Sequence, residues 1–113
     1  RIAASPDCIR AIPRINKLDS PRGCYVFEND VDILYVGRAK DLRKRLYMYI
    51  NGGMARESHK KYLDMMAYCL ERNEKEQEID YPFCPFVLII PCEKNLELER
   101  FLLKNVKKTE WKK

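Results

Sequence analysis

The chain lacks long apolar runs and has few residues suited to binding a metal through cysteine or histidine. No run approaches the roughly 18 to 20 apolar residues of a membrane-spanning helix, and no signal-peptide pattern opens the sequence. We therefore expect an intracellular protein, of cytoplasm or nucleus, without a membrane partner. One histidine and five cysteines without a CxxC pair support neither a disulfide framework nor a zinc site.

What the chain does contain is the composition of an ordinary globular domain. Its 113 residues are 46% hydrophobic and 35% charged, with a formal net charge of +5. These values predict one folded domain with a modest core. The sequence begins with Arg1 rather than Met, so we expect further domains outside this chain. Acidic residues gather at 71–80 and lysines near the C-terminus, which suggests a polyanionic partner or merely solvated faces.

A β-hairpin is the clearest local prediction. The apolar segments 23–27 and 33–37 flank a polar tract, the pattern of two strands joined by a loop. If the hairpin turns about Asp30, Tyr25 lies directly opposite Tyr35 on one face of the sheet. Two phenols then share one small patch.

Further elements follow from apolar spacing and from Gly and Pro. Helices are predicted over 39–50, 58–72 and 95–107, a solvated loop over 73–80, and a buried third strand over 86–90. Ser58 is the expected N-cap of the second helix. The core-facing stripes are predicted as Leu42, Leu46, Tyr49 and Ile50 on the first helix, and Tyr62, Leu63, Met66, Ala67 and Leu70 on the second.

These elements predict an α+β fold, with a small, three-stranded, mostly antiparallel sheet flanked by helices. The single domain, 1–113, divides into four parts. They are a lead-in with a short helix at 7–12 (1–20), the hairpin and first helix (21–50), a variable middle with a helix (51–80), and the third strand with the last helix (81–113).

Glu99 stands out on the last helix. At about 100° per residue, Leu96, Leu98 and neighbouring apolar residues cover one broad face, and Glu99 projects from within it. A carboxylate there must be hydrogen-bonded, paired with a cation or bound to a metal. A salt bridge to an arginine such as Arg45 and a metal-binding role are both open.

Short motifs in the hairpin and first helix resemble the core of the GIY-YIG nucleases. They are GCY at 23–25, YVG at 35–37, AKDL at 39–42, and Arg45. Cysteine and valine replace the two motif isoleucines and keep the positions apolar. The resemblance extends to the last helix and its glutamate, whereas residues 51–80 match poorly. It implies the fold of the catalytic domains of excinuclease incision subunits and homing endonucleases.

The resemblance also implies a chemistry, the hydrolysis of a DNA phosphodiester by water. Glu99 would bind Mg²⁺ or Mn²⁺, and Arg45 would stabilise charge on the phosphoryl oxygens. Tyr25 and Tyr35 would orient or deprotonate the water. Arg38 would help electrostatically only, because a guanidinium does not accept a proton.

Five further residues are candidates for substrate contact. Tyr49 lies where the family often has tyrosine or histidine and could hydrogen-bond a phosphate. His59 roughly matches a histidine of the homing endonucleases, or is simply a surface residue. Lys40, Arg43 and Lys44 are expected as surface cations that also contact the DNA backbone.

Two alternatives to a nuclease are open. An inactive GIY-YIG-like module could bind nucleic acid without cutting it, and a purely structural or protein-binding role would leave Glu99 unexplained. No helix-turn-helix or zinc finger is recognisable. We therefore expect DNA specificity to come from further DNA-binding or targeting domains.

Overall fold

The computed structural model describes residues 1–13, 21–29, 31–76 and 85–106, without the side chains of 73–76. Within these ranges no helix is both long and apolar enough to cross a membrane. The predicted α+β class is confirmed. The elements are β1 (Ile2–Ala3), α1 (Pro6–Arg10), β2 (Gly23–Glu28), β3 (Ile33–Ala39), α2 (Leu42–Ile50), α3 (Arg56–Glu76), β4 (Phe86–Pro91) and α4 (Asn95–Asn105).

The described strands form a four-stranded sheet, so the prediction of three strands is wrong. Its order is β1-β4-β2-β3, and every neighbouring pair is antiparallel. The extra strand is β1, in which Ile2 pairs with Val87, and the Ala4 N–H continues the pairing to the Pro85 carbonyl at 2.8 Å. A two-residue strand is too short to show an alternating pattern in the sequence.

The hairpin register differs by two residues from the expectation. Tyr35 lies opposite Phe27, and Tyr25 lies opposite Gly37. Because side chains alternate between faces with a period of two, this shift leaves Tyr25 and Tyr35 on the same face. Their rings are diagonal neighbours, with centroids 6.2 Å apart.

The loop chemistry explains this register. The Asn29 side-chain oxygen accepts hydrogen bonds from the Val31 and Asp32 N–H groups at 3.2 and 2.7 Å, and the strand pairing is irregular at Glu28. The predicted pivot, Asp30, lies outside the described residues. Asp32 in turn accepts a 2.7 Å hydrogen bond from Tyr68 of α3. Burial and this contact raise the pKa of Tyr68 to about 12.

Helices α1, α2 and α3 cover one face of the sheet, which we call the core face. Asp41 caps α2 by accepting from the Lys44 N–H at 3.0 Å, so the helix begins at Leu42 and Ala39 ends β3 instead. The predicted stripe on α2 is confirmed. The buried core-face side chains include Ile9, Tyr25, Phe27, Leu34, Leu42, Leu46, Tyr49, Tyr62, Met65, Cys69 and Val87.

Helix α3 is longer than predicted and is rotated relative to the predicted stripe. It begins at Arg56, so Ser58 is a buried residue within the helix and not its N-cap, and residues 73–76 are helical. The rest of the predicted loop, 77–80, lies outside the described residues. Tyr62, Met65 and Cys69 face the core, whereas Leu63, Ala67 and Leu70 are exposed. Both sets recur at helical spacing, so tertiary contacts such as the 2.6 Å hydrogen bond from Tyr62 to the Ala4 carbonyl select the face.

Helix α4 packs on the opposite face of the sheet, near β3 and β2. The Cys24 thiol donates to the Asn95 carbonyl at 3.3 Å, and the buried Asn95 amide donates to the Ala39 carbonyl at 3.1 Å. The apolar residues predicted on one broad face of this helix are not buried together, because Leu96, Phe101 and Leu103 are exposed. The prediction of a fully buried third strand is also wrong, since β4 exposes Leu88 on this thinly covered face.

Two motif glycines are required by close packing. A Cβ atom on Gly23 would lie 2.1 Å from the Ile90 carbonyl oxygen of the neighbouring strand. A Cβ atom on Gly37 would lie 2.4 Å from Cζ of Tyr25, whose ring crosses β3 at this point. A side chain at either position would displace its neighbour.

We expect Gly37→Ala to lower the free energy of unfolding by roughly 1–3 kcal/mol, because the buried Tyr25 ring has no room to retreat. Urea denaturation measures the change. Gly53→Ala is the control, since its Cβ would meet only the Asn51 side-chain oxygen, at 3.3 Å. Equal losses in the two variants would contradict this account of Gly37.

Candidate active site

Three tyrosines meet on the core face beside the edge strand β3. Tyr25, Tyr35 and Tyr49, which we call the tyrosine cluster, have ring centroids 5.8 to 6.4 Å apart. Tyr49 belongs to α2, while the other two belong to the hairpin. The hydroxyls of Tyr25 and Tyr49 are hydrogen-bonded at 2.9 Å. The structure therefore brings three of the predicted site residues together.

Arg45 completes this cluster from α2. It precedes Tyr49 by one helical turn, so both side chains project in the same direction. Its Nε donates to the Tyr25 hydroxyl at 3.4 Å, and its guanidinium carbon lies 5.5 Å from the Tyr49 ring centroid. Among the residues that the structure describes, no carboxylate forms an ion pair with Arg45. The half-buried guanidinium thus keeps donors for an anion.

Burial decides the protonation of two of the phenols. It raises the pKa of Tyr25, and hydrogen bonds with Tyr49 and Arg45 offset this only partly. Burial likewise raises the pKa of Tyr49, reinforced by the neighbouring Tyr25. Both remain neutral at physiological pH, so Tyr25 suits holding Arg45 rather than accepting a proton. Tyr35 is half-buried, and its role toward water stays a prediction.

Glu99 and Arg38 form a separate pair on the opposite face of β3. The Arg38 Nε lies 3.3 Å from Oε1 of Glu99, so the cation beside Glu99 is Arg38 rather than Arg45. Arg38 lies opposite Cys24 in the β2–β3 register, on the face that α4 covers. Glu99 follows Asn95 by one helical turn, and the buried Asn95 amide fixes that end of α4. The carboxylate is 22% exposed and therefore reaches solvent.

The two groups of residues lie on the two faces of the edge strand of the described sheet. Strand β3 ends the strand order, with the tyrosine cluster on one face and the Arg38–Glu99 pair on the other. We call this edge, with Arg45, Tyr35 and Glu99, the candidate active site.

The donor set at this edge suits one kind of metal ion. In the described part of the chain, no group of three or more histidine, cysteine or acidic residues could hold a metal. A lone, partly exposed carboxylate fits Mg²⁺ or Mn²⁺, which keep water ligands and take phosphate oxygens from a substrate. It does not fit a zinc site, which needs several protein ligands.

His59 is not a free surface residue. Its Nδ1 lies 2.8 Å from the Tyr49 carbonyl oxygen, and a Cβ on Gly52 would lie 2.8 Å from its ring. This contact joins the start of α3 to the end of α2. A catalytic role for His59 stays a prediction.

The three predicted DNA-contacting cations differ in their surroundings. Arg43 donates to the Arg10 carbonyl at 3.3 and 3.2 Å, which ties α2 to α1. Lys40 and Lys44 are exposed. Both can therefore meet a phosphate backbone without breaking a contact that holds the fold.

Two residues near the site were missed by sequence reasoning. The Lys61 ammonium lies 4.1 Å from the centroid of the Tyr35 ring, and Asn95 anchors the helix that carries Glu99. Lys61 is one cation among several on α3, and no periodicity distinguishes it. A polar residue at a helix start gave the sole signal for Asn95.

Comparisons with known proteins relate this chain to one family. The family model of the UvrC-like GIY-YIG domain matches residues 21–77. The chain is 35% identical over 66 residues to the UvrABC system protein C of Mycoplasma mycoides subsp. mycoides SC. That alignment covers 56% of this chain and 11% of the relative, so the chain spans a small part of that protein's length. No solved structure matches.

The extent of the family match is informative about the site. It includes the tyrosine cluster, Arg38 and Arg45, and it continues through the middle that was expected to match poorly. It ends at residue 77, before β4 and α4. The family match therefore does not test Glu99, and its role stays a prediction; the structure gives its contact with Arg38.

We expect Tyr25→Phe to destabilise the protein by about 1–3 kcal/mol, because the buried Tyr49 hydroxyl loses its partner. It should also change the alkaline response. A phenol whose pKa is raised on folding contributes stability that is present below about pH 10 and is lost as the pH rises further. Removing this phenol should make the alkaline loss smaller.

Urea unfolding at a series of pH values from about 8 to 11 tests both effects. Tyr47→Phe, which removes a phenol of α2 outside the tyrosine cluster, is the control and should keep the wild-type profile. An alkaline loss in Tyr25→Phe as large as in the wild type would show that burial of Tyr25 is not its cause.

Proposed function

Because this chain belongs to the UvrC-like GIY-YIG domains of the GIY-YIG nuclease superfamily, we propose that it is a divalent-metal-dependent endonuclease domain. Its substrate is DNA, and water is the nucleophile that breaks the phosphodiester bond. The observation that carries this proposal is Arg45, a cation held by Tyr25 and Tyr49 beside the edge strand of the described sheet.

Arg45 supplies the fixed positive charge. Its guanidinium is oriented before any substrate arrives, because Nε is bonded to a buried hydroxyl and the group lies against the Tyr49 ring. A planar guanidinium can donate two parallel hydrogen bonds to a phosphate. Such a preorganised donor stabilises negative charge that builds on the phosphoryl oxygens during attack.

Tyr35 orients the attacking water in this mechanism. Its ring packs against Tyr25 and Tyr49, which fixes its direction, while its half-buried position leaves it accessible from the edge. Tyr25 and Tyr49 stay neutral and act through Arg45. Lys40 and Lys44 hold the flanking DNA backbone by charge.

Glu99 would hold Mg²⁺ or Mn²⁺, which supplies Lewis-acid stabilisation of the phosphoryl charge. In the structure its charge is balanced by Arg38. Arg38 is 47% exposed, so its guanidinium can rotate toward a phosphate oxygen and leave the carboxylate to other ligands. The ion pair would then hold the Glu99 side chain in place before substrate binding.

The same ion pair favours one alternative, a GIY-YIG-like module that binds nucleic acid without cutting it. If Arg38 stayed on Glu99, the carboxylate would be neutralised and unavailable to a metal. DNA specificity in either case is assigned to domains outside this chain, since the matched relative is much longer.

We expect the domain to nick supercoiled plasmid with Mg²⁺ or Mn²⁺ and to stop when EDTA is added. Glu99→Gln should lower the rate by about 100-fold or more, because the amide is a poor ligand for a hard cation. The control is Glu97→Gln, which removes an exposed carboxylate from the same helix. Salt-sensitive DNA binding by a wild type that does not cut would favour the binding module.

We also expect Arg45→Lys to slow cutting by about tenfold or more, because an ammonium cannot donate two parallel hydrogen bonds to a phosphate. Cleavage at saturating protein measures the step after binding. Arg43→Lys is the comparison, since Arg43 contacts a carbonyl of α1. Equal rates for Arg45→Lys and the wild type would exclude Arg45 as the group that stabilises the phosphoryl charge.

A further inference from the structure

A lysine on α3 contacts the tyrosine cluster. The Lys61 ammonium lies over the Tyr35 ring, 4.1 Å from its centroid. The face of a phenol ring attracts a cation, so this placement is electrostatically favourable. In the ranges that the structure describes, no carboxylate pairs with Lys61.

The position of Lys61 is fixed by its neighbours in the chain. Two residues earlier, His59 contacts the Tyr49 carbonyl at 2.8 Å. One residue later, the buried Tyr62 donates a 2.6 Å hydrogen bond to the Ala4 carbonyl. These contacts set the rotation of α3 about its axis, and they direct Lys61 toward Tyr35 rather than away from the fold.

Lys61 differs from the arginines Arg38 and Arg43 in the groups that it contacts. Arg38 and Arg43 each have a partner in the fold, a carboxylate and a carbonyl respectively. Lys61 and Arg45 instead rest on aromatic rings of the cluster. Among the described residues these two half-buried cations have no carboxylate partner, and they lie on two helices beside one phenol cluster, which favours the binding of an anion there.

We propose that Lys61 is a second phosphate-binding residue of the candidate active site and that it also orients Tyr35. In this arrangement a DNA phosphate is held between Arg45 on α2 and Lys61 on α3, next to the Tyr35 hydroxyl. This inference rests on the proposed function. It adds to the candidate active site a residue of α3, in the middle of the chain.

The first test is the salt dependence of duplex DNA binding in EDTA, where no cutting occurs. Lys61→Met keeps an unbranched side chain and removes the charge. The slope of log affinity against log salt is negative, and this variant should make it shallower by about 0.9, the value for one lost phosphate contact. Lys61→Arg keeps the cation and should retain the wild-type slope. Lys104→Met, at an exposed position of α4 on the other face of the sheet, should also retain it.

The second test is the single-turnover cleavage rate with Mg²⁺ at saturating protein. Lys61→Met should be slower than Lys104→Met by about tenfold or more, as expected for a lost hydrogen bond to a charged group, and Lys61→Arg should recover most of the rate. Thermal unfolding of each variant establishes that it is folded. A merely structural lysine would change the unfolding temperature without changing the salt slope.

The outcomes separate this inference from the proposed function. If the wild type cuts DNA and Lys61→Met matches Lys104→Met in slope and rate, the role of Lys61 is wrong and the nuclease stands. If the wild type binds without cutting, the nuclease proposal fails, and the salt slope decides whether Lys61 holds a phosphate. If the wild type neither binds nor cuts, both are wrong.

Discussion

The hydrogen bonds of the Tyr25 hydroxyl determine how the candidate active site is assembled. This buried group contacts Tyr49 and Arg45, so it links β2 to α2 and orients the cation that faces the sheet edge. The contact is possible because Gly37 has no side chain where the Tyr25 ring crosses β3. Burial keeps the phenol neutral, and a neutral phenol can accept from a guanidinium and still donate to Tyr49. Tyr25 therefore both packs in the core and orients a residue of the candidate active site.

The two faces of the sheet at the edge strand β3 carry different groups of residues. One face carries the tyrosine cluster and the main core, and the other carries Arg38, Glu99 and the thin cover of α4. Because β3 ends the described sheet, Tyr35 and Arg38 project from the two faces of one edge strand. The buried Asn95 fixes the start of α4, although much of that helix is exposed. A few contacts at one helix end suffice to place Glu99.

The cations near the candidate active site differ in their partners. Arg43 satisfies a backbone carbonyl of α1, and Arg38 balances Glu99. Arg45 and Lys61 lie against aromatic rings, where a cation is stabilised without being neutralised. Net charge counts these four residues alike. Their different contacts explain why net charge alone is a weak guide to a nucleic-acid surface.

The sequence by itself determined the α+β class, the hairpin, the core stripe of α2, and the shared face of the two hairpin tyrosines. These features depend on periodicity and short motifs within a few residues of each other. It did not determine the register of the hairpin, which is shifted by two residues from the expected one and depends on the hydrogen bonds of Asn29. Nor did it determine the short strand β1, which pairs with a strand far away in the sequence. Only the tertiary structure decided which helical stripe of α3 is buried, that Glu99 pairs with Arg38, and that Lys61 lies on Tyr35. Each of these depends on residues far apart in the chain, and local spacing carries no information about which of several similar side chains will meet.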